Sequence, residues 1–77
     1  MAARLKLHYD READILYIDT REPYAEQISD KLGDEVVARR NPDTHDIETL
    51  EVLWFSTRLL RGELLDLPIT ATLRAAS

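Results

Sequence analysis

RLKLHYDREADILYIDT, residues 4–20, decides the fold. Leu5, Leu7 and Tyr9 alternate with Arg4, Lys6 and His8, the period of two that a half-buried strand requires. Ile15 to Thr20 resumes strand chemistry with apolar side chains at successive positions, which fits a central strand covered on both faces. The interruption between them, Asp10 to Asp14, has the length of a hairpin connection. Asp10 is its natural initiator, because its carboxylate can accept from backbone N–H groups two or three residues on. Asp10 and Asp14 then shape the turn, Ala13 is small enough to let it pack, and Arg11 and Glu12 project into water.

Working outward, Arg21-Glu22-Pro23-Tyr24 breaks the pattern, since proline fixes φ and lacks an N–H. Glu26 to Leu32 reads as a weak peripheral strand with Ile28 and Leu32 on one side. Gly33-Asp34 reverses the chain into Glu35 to Arg40. The turn-rich Asn41 to Asp46 leads into a last strand, Ile47 to Leu53, where Leu50, Val52 and Trp54 share one face and Thr49, Glu51 and Leu53 the other. Ser56 is placed as the N-cap of a helix whose apolar stripe is Phe55, Leu59 and Leu60, and Gly62 ends or kinks it. Leu64, Leu65, Leu67, Ile69 and Leu73 keep the following tail apolar, while Pro68 prevents it from continuing the helix. The expectation is an α+β fold: a small, mostly antiparallel sheet of four to five strands in hairpins, one C-terminal helix packed on it, and an apolar tail.

With 77 residues the chain makes one domain, 1–77, and buries only about 60 to 65% of the surface its unfolded form exposes. Such thin cores gain from association, so a homodimer or other homo-oligomer is expected. Hydrophobic residues at 44% against 32% charged mark a globular rather than a disordered chain. Cysteine is absent, which excludes disulfides and thiolate metal sites and fits the cytoplasm. No stretch approaches the roughly 20 apolar residues of a membrane span. A net charge of −5 disfavours nucleic-acid binding by the chain alone and suits a basic protein partner.

Tyr9-Asp10-Arg11-Glu12-Ala13-Asp14-Ile15-Leu16-Tyr17-Ile18 resembles the YDxEADxLYI opening of the small bacterial proteins grouped as domain of unknown function 2283. Leu50-Glu51-Val52-Leu53-Trp54-Phe55-Ser56 is similar to that family's I-E-I-L-x-A-S segment. The likeness covers a core of residues 5–62 and leaves the tail, 63–77, outside. Thr49 and Phe55 depart from the family's glycine and small residue. The resemblance implies a compact sheet with a helix, no assigned activity, and an antitoxin-like role.

Asp10, Glu12 and Asp14 sit at alternate positions like the start of a calcium loop, but the glycine and glutamate that such a loop needs are replaced by Ile15 and Arg21. No metal or other cofactor is expected. His8 and His45 read as surface residues, and Ser56 lacks any nucleophile motif. Trp54 is assigned to the core by default, and one of Trp54 and Phe55 is left at the surface, because neighbours on a strand point opposite ways. The functional expectation is a cytoplasmic protein-interaction module, self-associating and antitoxin-like, contacting partners through Asp10, Glu12, Asp14, Trp54, Phe55, Leu64, Leu65, Leu67 and Leu73. The alternative is a small enzyme using Asp14 and Glu51 as paired carboxylates at a dimer interface.

Overall fold

The computed structural model describes residues 4–62 and 66–76. Five antiparallel strands form one sheet: β1 (Lys6–Asp10), β2 (Ile15–Asp19), β3 (Ile28–Lys31), β4 (Val36–Arg40) and β5 (Ile47–Leu53). Among the described residues one helix, α1 (Phe55–Arg61), follows. The expected α+β fold is therefore present, with hairpins joining β1 to β2, β3 to β4 and β4 to β5.

The spatial order is β1-β2-β5-β4-β3. β5, not β2, is the central strand, and it lies between the two hairpins that precede it. β2 is half-buried along its whole length rather than enclosed on both faces. Its run of apolar residues alternates across the sheet, with Leu16 opposite Val52 and Ile18 opposite Leu50. Both join the face that carries Val36 and Ala38, which form the buried core with Leu50 and Val52.

One residue of β5 is surplus to the pairing. Arg39 faces Thr49 but Arg40 faces Ile47, so Glu48 has no opposite number and the strand carries a bulge. Strict alternation would send Ile47 to the face of Thr49 and Glu51. The extra residue returns it to the core side, where it packs with Leu50.

That core face is roofed by Leu32, Leu67 and Ile69. Two of these come from the tail, so Leu67 already has a place in this chain's own core. The helix contributes through its first turn: Phe55, Ser56 and Arg58 are half-buried, whereas Leu59 and Leu60 are 64% and 88% exposed. Arg58 is fastened to Glu35 by an ion pair. Gly62 ends α1 in the left-handed conformation at φ 68°, with its N–H donating to the Leu59 carbonyl.

Candidate functional site

The β1–β2 turn forms as its residues dictate. Oδ1 of Asp10 accepts from the N–H groups of Glu12 and Ala13 at 3.1 and 3.2 Å. Asp14 closes the turn at φ 57°, a left-handed value that a short polar side chain tolerates. Glu12 points into solvent and is exposed.

Asp14 does more than shape this turn. Its Oδ1 accepts from the Ser56 N–H at 2.8 Å and from the Tyr9 hydroxyl at 2.7 Å, and its Oδ2 accepts from the Ser56 hydroxyl at 2.8 Å. Its carbonyl accepts from the Phe55 N–H at 3.2 Å. Ser56 is thus a donor within the first turn of α1, not the cap expected from the sequence. The N-cap position is Trp54, whose own side chain makes no capping bond. A carboxylate from a distant hairpin supplies the acceptor that the helix N-terminus lacks. Hydrogen bonds from the Ser56 N–H and Tyr9 hold the Asp14 carboxyl below its ordinary range, and the same bond to Asp14 pushes the Tyr9 phenol upward.

Trp54 adopts φ 56° to carry the chain from strand to helix. This rotation takes its side chain off the Leu50 and Val52 face and leaves it 57% exposed. Assignment of Trp54 to the core is therefore corrected, and Phe55 is the inner aromatic of the pair. Its ring lies against Tyr9, with centroids 5.8 Å apart and planes tilted by 60°.

A second carboxylate, Glu48, organises the opposite end of the sheet. Oε1 accepts from the Tyr24 hydroxyl at 2.6 Å and from Gln27 Nε2 at 3.1 Å, and Oε2 from Asn41 Nδ2 and Arg21 Nη1 at 3.4 Å each. The bulge residue thereby ties the loop after β2 to the turn before β5. The Tyr24 and Gln27 bonds lower its pKa. Sequence reasoning passed over this cluster, because its five members spread from Arg21 to Glu48 without a motif. The Asp14 node was missed because Tyr9 and Asp14 lie in one stretch and Ser56 in another, 42 residues beyond Asp14, and nothing local joins the two.

Neither node is poised for acid–base work, since ionised carboxylates with several donors each are held as acceptors. Asp14 and Glu51 hold different partners: Glu51 pairs with Arg39 at 3.1 Å. Among the described residues no group of three or more His, Asp or Glu could hold a metal ion. No described helix is long and apolar enough to cross a membrane.

Of the candidate contact residues, the structure brings Asp14 and Phe55 together, with Trp54 beside them. Asp10 is half-buried and committed to its turn. Leu67 packs on the core, Leu73 is exposed, and Leu64 and Leu65 lie outside the described residues. Exposed large apolar side chains that were not nominated as contacts include Leu59 and Leu60 on α1, Ile28 on β3, and the row Leu5, Leu7 and Tyr9 at the start of and along β1. The alternation of that row was the available signal.

No family model matches the chain, and no curated protein or solved structure matches it either.

Proposed function

We infer that the chain is a small cytoplasmic protein-interaction module that self-associates and engages a basic protein partner in the manner of an antitoxin. The observation that carries this reading is the apolar surface left uncovered in one copy. Leu5 just before β1, Leu7 and Tyr9 on it, Trp54 before α1, and Leu59 and Leu60 on α1 are all exposed. Tyr9 meets Phe55, so the β1 row and the helix start adjoin. Monomers seldom leave so many large apolar side chains in neighbouring elements open to water.

The net charge of −5 favours a basic partner and speeds its encounter more than it tightens binding. Exposed Glu12 is well placed to contribute, whereas Asp14 is engaged internally. The cysteine-free composition suits a reducing compartment. The antitoxin-like role rests on the Tyr9–Ile18 and Leu50–Ser56 likeness.

Sedimentation velocity of the full chain, with mass spectrometry of proteins that co-purify with it, tests this reading. A concentration-dependent dimer and a stoichiometric basic companion are expected. A monomer at all concentrations that purifies alone overturns it.

A further inference from the structure

β1 is an edge strand, hydrogen-bonded to β2 alone among the described residues. Its other side carries backbone N–H and C=O groups free to pair with another strand. Natural edges are usually blunted by inward-pointing charges, prolines or bulges. β1 carries Lys6 on its polar face but none of these on its core-side row, Leu7 and Tyr9, which Leu5 extends just before the strand; Leu7 is 63% exposed.

The opposite edge is protected. β3 carries Ile28 as its one apolar residue, and Asp30 on the core-side row is tied to Arg40 at 3.1 Å.

We propose that β1 is the self-association surface, pairing antiparallel with β1 of a second copy about a two-fold axis at Leu7 to make one ten-stranded sheet. Charge along the strand selects this occupant. The N-terminal end is basic, with Arg4 and Lys6, and the C-terminal end is net acidic, with Asp10 and Glu12 on either side of Arg11. Two-fold antiparallel pairing lays each basic end beside the acidic end of the other copy, whereas parallel pairing would oppose like charges. The same operation places Leu7 beside its own counterpart and Leu5 beside Tyr9 of the other copy, and continues the apolar face across the junction. The proposal deepens the self-association reading and rests on it.

The cysteine-free chain allows single spin labels at His8→Cys and Ser29→Cys, both exposed positions. In the dimer the His8 labels should give a short inter-copy distance. The Ser29 labels, nine strand spacings apart, should give one on the order of 40 Å. Leu7→Lys should weaken dimerisation by roughly tenfold or more by placing like charges at the axis, while circular dichroism stays unchanged. Ser29→Lys on the far edge should leave dimerisation as it was. A dimer with distant His8 labels, or one indifferent to Leu7→Lys, overturns the β1 surface and leaves self-association standing. A monomer overturns both.

Discussion

The carboxylate of Asp14 receives both the backbone N–H and the hydroxyl of Ser56, each at 2.8 Å, across 42 residues of sequence. A helix of seven residues is too short to persist on its own. Asp14→Ala should therefore melt α1 while the sheet remains, seen as loss of helical ellipticity and of amide protection at Thr57 and Arg58. Ser56→Ala removes one of the two bonds and should cause a smaller loss. Equal loss from both would contradict the backbone bond as the main anchor.

Acid should act through the two carboxylate nodes. Asp14 and Glu48 have folded-state values below their ordinary 3.8 and 4.5, so the unfolded chain takes up protons first as pH falls. Their stabilisation is complete above those ordinary values and is lost as pH falls through the lowered ones. Asp14→Asn and Glu48→Gln should flatten the acid limb of a plot of urea midpoint against pH. At the alkaline end Tyr9 and Tyr24 are raised above 10.0, so what they contribute is present below that value and disappears as pH climbs through the folded ones. Tyr9→Phe should flatten that limb.

Thr49 is fully buried, and its hydroxyl has no hydrogen-bond partner among the described residues. A buried, unpaired hydroxyl costs more than it returns. Thr49→Val should raise stability by about 1 kcal/mol, read from a higher urea midpoint at constant m-value. A lower midpoint would mean that the hydroxyl is satisfied in solution.

Trp54 holds a left-handed backbone that costs a non-glycine residue roughly 1 kcal/mol. Trp54→Gly and Trp54→Ala remove the same exposed ring, but only glycine relieves the backbone. The glycine variant should outlast the alanine variant by about 1 kcal/mol in chemical denaturation. The reverse order would show that the turn into α1 is unstrained.

What was legible in the sequence was local. Alternation in Arg4–Tyr9, the Asp10 turn and the Asn41–Asp46 turn yielded strands and hairpins, because each is written within a few adjacent residues. The order of strands was not, since nothing in Ile47–Leu53 says that it will pair with β2 as well as β4. Ser56 looked like its own helix cap because local capping is the usual solution, and the acceptor that replaces it lies one hairpin away. Trp54 looked buried because strand alternation was extended one residue beyond the strand, past the point where φ changes sign. The Glu48 bulge shifted Ile47 to the core without any glycine or proline to mark it.

The middle place of β5 also governs how the protein is made. A ribosome releases the β1–β2 and β3–β4 pairs first, and neither can shelter its oily side until residues 47–53 emerge and join them. Translation stopped short of Leu53 leaves two sticky ribbons rather than a smaller version of the same protein.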